Sequence, residues 1–238
     1  MEIKTYKSSF DYSYTLGAFP TIELLRHQKD KVIKVLIHST FTNQNVLDEI
    51  YNLIPNNLIE YNDKLINKLS DKENVYIIGV FKKYTSKLNP TEDHILMDNP
   101  SNMGNVGTIM RSSLGFEIKN FGITKPGVDY FNPKVIRASM GAIFSLNIET
   151  FDSIDDYSNK YNKHTQYKFM LKAKKSLREC SFDKELVTLV FGNEATGIAD
   201  KYLDDNALII RHSNNIDSLN VTNAVSIALY EYHEKRSK

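Results

Sequence analysis

Apolar positions along the chain alternate between two regimes. Short runs rich in β-branched and aromatic residues predict strands over 31–38, 75–81, 94–97, 120–124, 146–150, 167–171, 186–191 and 207–210. Between them, apolar residues recur at helical spacing. That spacing predicts helices from Thr21 through Arg26, with Thr21 as a cap, and over 45–53, 63–69, 105–114, 133–143, 153–162, 197–203 and 219–235. Residues 1–17 read as an arm or an edge element. The polar stretch around Pro90 reads as a linker over 86–93. It divides a small α/β unit, residues 1–85, from a second unit, residues 94–238. In the second unit strands and helices alternate, which implies an α/β fold with a mostly parallel sheet covered by helices.

Ligands of such sheets sit in the loops that leave the carboxyl ends of strands. Three loops qualify. In the first, 98–106, and running one residue past it, stand two consecutive Asn-x-Gly units, Asn102-Met103-Gly104 and Asn105-Val106-Gly107. It lacks both the Gly order of a dinucleotide fingerprint and the Gly-Lys-Ser/Thr of a phosphate loop. Asn105 is a good N-cap, so the helix is expected to begin there. Gly107 and Arg111 then share a face, and Arg111 leans back over the glycine toward the loop mouth. The bland alternative is a surface arginine on a capped helix. In the second loop a buried strand runs into Gly192-Asn193-Glu194-Ala195-Thr196-Gly197. A carboxylate there can accept hydrogen bonds from a ligand, or Asn193 and Glu194 can cap a following helix. The third, 211–220, brings Ser218 and Asn220 to a helix N-terminus, where backbone N–H groups are free; one of the two is expected to be only the cap.

Composition narrows the field. With 41% hydrophobic and 25% charged residues, the 238-residue chain has a globular balance. No apolar run is long enough to span a bilayer. Residues Met1–Lys7 lack the apolar segment of a secretory signal, and Cys180 is the only cysteine. A reducing cytoplasm is therefore expected, with no disulfide and no thiol-based metal site. A net charge of +1 argues against a chain that coats nucleic acid by bulk charge. A local basic face is still present: between Tyr157 and Arg178 there is no acid, while Lys160, Lys163, Lys168, Lys172, Lys174, Lys175 and Arg178 are basic. Tyr157, Tyr161 and Tyr167 are interleaved with them. This is either a solvated loop and strand end or a phosphate-contacting surface.

Together the three loops resemble the SpoU (TrmH) branch of the SPOUT superfamily, S-adenosylmethionine-dependent RNA ribose 2′-O-methyltransferases. The first family motif, Asn-x-Gly-x-x-x-Arg, selects Asn105, Gly107 and Arg111, because from Asn102 the arginine position falls on Thr108. The second matches Gly192, Glu194 and Gly197; the third matches Ser218, Leu219, Asn220 and Val221. Arg137-Ala138-Ser139-Met140-Gly141-Ala142 also looks like a family segment. The resemblance covers roughly residues 92–235. One departure is Arg211-His212, where the family commonly has a proline after the strand.

The resemblance implies a C-terminal trefoil knot, S-adenosylmethionine as donor, RNA (ribosomal or transfer) as substrate, a homodimer with a shared site, and an N-terminal RNA-gripping domain. It places the donor on Gly192, Asn193, Gly197, Ile210, Ser218, Leu219 and Asn220, and the chemistry on Arg111, Asn105, Glu194, Ser218 and Asn220. Lys172, Lys174, Lys175 and Arg178 are the RNA contacts expected beside Arg111. A guanidinium does not give up its proton, so Arg111 is expected to hold phosphate and stabilise negative charge on the ribose oxygen. The alternatives are a non-catalytic RNA-binding protein on a degenerate methyltransferase fold and a nucleotide-dependent α/β enzyme of another class.

Overall fold

In chain order the elements are β1 (Tyr12–Tyr14), α1 (Ala18–His27), β2 (Val32–Ile37), α2 (Gln44–Leu53), β3 (Ile59–Tyr61), α3 (Asp63–Leu69) and β4 (Ile77–Lys82). There follow β5 (His94–Met97), α4 (Met103–Gly115), β6 (Asn120–Thr124), α5 (Pro133–Ala138), β7 (Asn147–Phe151), α6 (Ile154–Lys160), β8 (Thr165–Lys168), β9 (Lys175–Ser176), β10 (Val187–Phe191), β11 (Leu208–Ile209) and α7 (Val221–Arg236). They are seen in a computed structural model that describes residues 2–70 and 74–236.

Contacts divide the chain into two units, Met1–Tyr84 with Asp129–Ser145, and Thr85–Val128 with Leu146–Lys238. The first unit is therefore discontinuous, which a single boundary near residue 85 does not anticipate. Its sheet runs β1-β4-β2-β3. The β1–β4 and β4–β2 pairs are antiparallel and β2–β3 is parallel. Asn43 and Asn62 cap α2 and α3 through Val46 N–H and Leu65 N–H. Thr21 does not cap α1. It lies inside the helix and donates its hydroxyl to Gly17 O at 2.7 Å. The predicted edge element is β1. Phe131, from the inserted segment, accepts the Ser13 hydroxyl at 2.5 Å. The helix predicted over 133–143 stops at Ala138, because Met140 and Gly141 turn to positive φ. There Gly141 is pressed against α1, where a Cβ would lie 2.7 Å from Glu23 Cβ.

The second unit is built on a parallel sheet, β7-β6-β5-β10-β8. The central strands β5, β6 and β10 are buried along their whole length, as expected of strands covered on both faces. The chain leaves β5 toward β6 and β7, then crosses to β8 and returns to β10. Its winding reverses between β5 and β10, and a crevice opens at their carboxyl ends. The short pair β9–β11 is also parallel. The stretch read as a linker is packed in place. Ser86 accepts from Ile148 N–H at 2.6 Å and donates to its carbonyl, and Leu88 is buried in the core. The helix predicted over 197–203 is a single 3-10 turn, Asp200–Tyr202, because the chain folds back on itself between Asn193 and Gly197.

At the amino end of β5 the interior is polar. His94 Nε2 donates to Asn89 O at 2.8 Å, which leaves Nδ1 to accept from the Tyr157 hydroxyl at 2.7 Å. Tyr157 is bonded to Thr188, Thr188 to His164, and the two imidazoles stack at 4.1 Å. Burial pushes His94 down to about 4, and the His164 ring on it acts in the same direction. Unfolded, the same imidazole titrates near its ordinary value of about 6.5. A depressed folded value means that this stability is present above that pH and is lost as pH falls toward 4. Chemical denaturation between pH 7 and 4 is expected to show a loss in the wild type, up to about 3 kcal/mol, that is absent from His94→Gln.

Candidate functional site

The first loop is organised by a capping asparagine, but not the one expected. Asn102 Oδ1 accepts from Asn105 N–H at 3.0 Å, so α4 starts at Met103 and Asn105 lies within its first turn. The two consecutive Asn-x-Gly units thus divide the labour. Asn102 starts the helix, which frees the Asn105 side chain to point across the crevice, where Nδ2 donates to Glu194 Oε1 at 3.2 Å.

Glu194 holds the two loops together. Besides Asn105 it accepts Ser101 N–H at 3.0 Å, the Ser101 hydroxyl at 2.8 Å and Asn102 N–H at 3.2 Å. Beside it, Asn193 Nδ2 donates to Asn99 O at 2.7 Å, and Asn99 adopts a positive φ of 48°. Burial raises the Glu194 carboxyl, but the donors on it prevail, Ser101 N–H foremost, and hold it below the usual carboxylate range. It is ionised at neutral pH, and the nearby N-terminus of α4 favours that charge. Asn193 Oδ1 accepts from Ala195 and Thr196 N–H, which tightens the turn.

This turn forms one wall of a cavity of about 540 Å³. Gly192, Asn193, Glu194, Gly197, Ile210, Ser218 and Leu219 all line it. Phe169 and Phe191 stack at 4.4 Å along another wall. Gly192 is required by packing: a Cβ there would lie 2.2 Å from the Gly197 carbonyl carbon and 2.4 Å from Ile198 N. Gly197 is required by conformation, at φ 67°. The volume and the mainly apolar walls suit a ligand of nucleoside size.

The structure separates the remaining residues. Asn220 does not line the cavity. Its Oδ1 accepts from Thr222 N–H at 2.8 Å and its carbonyl accepts from Ala224 N–H, so it is the cap of α7, and Ser218 is the one at the cavity. Arg111 is exposed on α4 and, among the described residues, makes no hydrogen bond and does not line the cavity. Tyr157, Tyr161 and Tyr167 are core residues, since the alternation of β8 and the inner face of α6 turn them inward. They are unavailable to stack on nucleobases. Lys160 is paired with Glu149, Lys168 with Asp204 and Lys172 with Asp200. Lys174, Lys175 and Arg178 are exposed with no acidic partner among the described residues.

Several site residues were not singled out from the sequence. Ser101 precedes the first motif; its only signal is its place in the loop that leaves the strand end. Phe169–Leu171 forms a wall, with Lys172 beside it, because β8 lies beside β10, which strand order decides. His212, noted in the sequence only as part of a departure from the family pattern, lines the cavity and donates Nδ1–H to Ile210 O at 2.9 Å.

The model of the SpoU rRNA Methylase family matches residues 93–230. The chain is 28% identical over 143 residues to an uncharacterized tRNA/rRNA methyltransferase of Synechocystis, covering 58% of this chain and 51% of that protein. It is 27% identical over 150 residues to the 23S rRNA (uridine(2479)-2′-O)-methyltransferase of Streptomyces viridochromogenes, covering 60% and 52%. These alignments take in about half the length of the curated relatives it matches. Its fold is similar to that of the SpoU methyltransferase AviRb of Streptomyces viridochromogenes in complex with the cofactor AdoMet. The TM-score is 0.82 at 19% identity, over 96% of this chain and 91% of that one.

Replacing Gly192 by alanine forces the 192–198 turn off the strand end. The expected result is a loss of about 2 kcal/mol or more in unfolding free energy. Hydrogen exchange should quicken at the Gly197 amide, which donates to Asn193 O.

Proposed function

This chain belongs to the SpoU rRNA Methylase family, and on that premise we propose that it transfers a methyl group from S-adenosylmethionine to a ribose 2′-hydroxyl of ribosomal or transfer RNA. The observation that carries the reading is the crevice between β5 and β10. There a cavity of nucleoside size, lined by Gly192, Ile210, Ser218 and Leu219, is joined through Glu194 to Asn105 and the helix of Arg111. Relatives named as rRNA and tRNA 2′-O-methyltransferases support the substrate class.

Bound in the cavity, S-adenosylmethionine would supply an electrophilic methyl, whose bond to sulfur breaks as the bond to the ribose oxygen forms. The chain's own residues do the rest. Backbone groups around Gly192, Ile210 and Leu219 hold the donor, and Ser218 adds a hydroxyl at the wall. Glu194 stays ionised and keeps Asn105 aimed into the crevice. Arg111, permanently charged, binds the substrate phosphate and stabilises negative charge as the 2′-hydroxyl releases its proton to solvent water. Holding both reactants in line supplies a large part of the rate.

A homodimer and a knotted C-terminal passage belong to the same proposal. Ile227 and Tyr230 are exposed three positions apart on α7. Arg111 also stands apart from the cavity of its own chain, as a site shared between two copies requires. Three separate segments, 169–172, 191–200 and 208–221, wall one cavity, which is the crowding expected where a chain is threaded. We place the reaction in a reducing cytoplasm. No described helix is long and apolar enough to cross a membrane. The N-terminal unit is assigned to RNA binding, and the outer basic surface to Lys174, Lys175 and Arg178.

The direct test is mass-spectrometric mapping of ribose methylation in RNA from cells with and without the protein. One 2′-O-methyl mark should vanish; an unchanged map of both RNA classes overturns the reading. Arg111→Ala is expected to keep its fold and donor affinity while single-turnover methyl transfer falls about 100-fold or more. Neutralising Lys174, Lys175 and Arg178 together should lower the slope of log affinity against log salt by about two.

A further inference from the structure

Among the described residues that line the cavity, Lys172, Glu194 and Asp200 carry full charges. The Glu194 oxygens are taken by Ser101, Asn102 and Asn105. Lys172 and Asp200 remain, and they belong to different walls. Lys172 follows β8, and Asp200 follows the turn at Gly197. Lys172 Nζ lies 2.5 Å from Asp200 Oδ2. Their side chains are 66% and 67% exposed, so the pair stands in solvent at the rim. An ion pair this exposed contributes little to folding. Nor do neighbouring charges claim either partner. Lys201 is held by Asp155 and Tyr202, and Lys168 by Asp204.

The cavity thus has a stacked aromatic pair and apolar walls within, and one cation beside one anion at its mouth. Its complement is a ligand with a flat heterocyclic body and a zwitterionic amino-acid end. Resting on the methyl-donor reading above, we propose that Lys172 and Asp200 form the subsite for the amino-acid end of the donor. Lys172 takes the α-carboxylate and Asp200 the α-ammonium. Each charge exchanges one partner for another of the same sign, so neither is left unpaired, and both were already hydrated before the exchange. This moves Lys172 from the RNA-contacting surface to the donor, and leaves Lys174, Lys175 and Arg178 outside the cavity. It also makes the site selective, because a nucleoside without the amino-acid end leaves the rim pair unused.

Isothermal titration of the full chain tests this with S-adenosylhomocysteine and with 5′-methylthioadenosine, which keeps the adenosine and thioether but lacks the amino-acid end. The wild type should bind the first about tenfold or more tightly than the second. Lys172→Met and Asp200→Asn should each erase most of that ratio while leaving 5′-methylthioadenosine within about twofold. Variants that keep the wild-type ratio overturn the subsite, as do variants that weaken both ligands equally, which would mark mere damage to the wall. A wild-type chain that binds neither ligand overturns the donor reading itself, and the subsite with it.

Discussion

The site depends on a carboxylate held across a crevice. Ser101 and Glu194 are 93 positions apart in the chain, yet Glu194 accepts hydrogen bonds from the Ser101 backbone and hydroxyl, from Asn102 and from Asn105. The strands that carry these loops, β5 and β10, are neighbours in the sheet. A parallel pair side by side places both carboxyl ends at one level, so a short side chain can bridge the two loops. Asn193 adds the second point of attachment through Asn99. Loop 1, which leads into the helix of Arg111, and loop 2, which walls the cavity, are thereby one body. A ligand that orders either loop acts on the other, and such coupling is reciprocal.

The sheet that makes this bridge possible is closed at its other end by a run of hydrogen-bonded polar groups. His94, Tyr157, Thr188 and His164 bond in sequence, with Asn89 O on the far side of His94. Buried polar groups satisfied in this way tie β5, β10 and α6 together in one register, where a purely apolar contact would tolerate slippage. The cost falls on His94, which must stay uncharged. One end of the sheet is thus held around the uncharged His94 and the other by an ionised carboxylate, and each suits its surroundings. The His94 end is fully buried, and the Glu194 end is half open to water and rich in N–H donors.

Much of this was legible in the sequence for a local reason. Strands such as 94–97 and 186–191 are largely apolar, and that much of their burial was readable from composition; the buried polar ends of 120–124, Asn120 and Thr124, were not. The glycines at 192 and 197 were visible in sequence as a loop at a strand end, but that they close a tight turn in place of a helix start was decided by the structure. The cap of α4 was misplaced because Asn102 and Asn105 are equally good caps by type. What decides between them is Glu194, a residue 89 positions from Asn105 that claims its side chain. The basic run at 157–178 was legible only in part, for a similar reason. Charge is visible in sequence, but the acids that neutralise Lys160, Lys168 and Lys172 come from elsewhere in the chain.

By itself, then, the sequence determined the parallel α/β class, the three loops at the strand ends and the residue types that meet in them, since each follows from periodicity, backbone conformation or motif spacing. Only the tertiary structure decided which strands are neighbours, and hence that Glu194 faces Asn105, that Phe169–Lys172 is a wall of the cavity, and that Asn220 is spent on capping. It also joined Asp129–Ser145 to the N-terminal unit. Those outcomes rest on contacts between residues far apart in the chain, and local propensity carries no record of them.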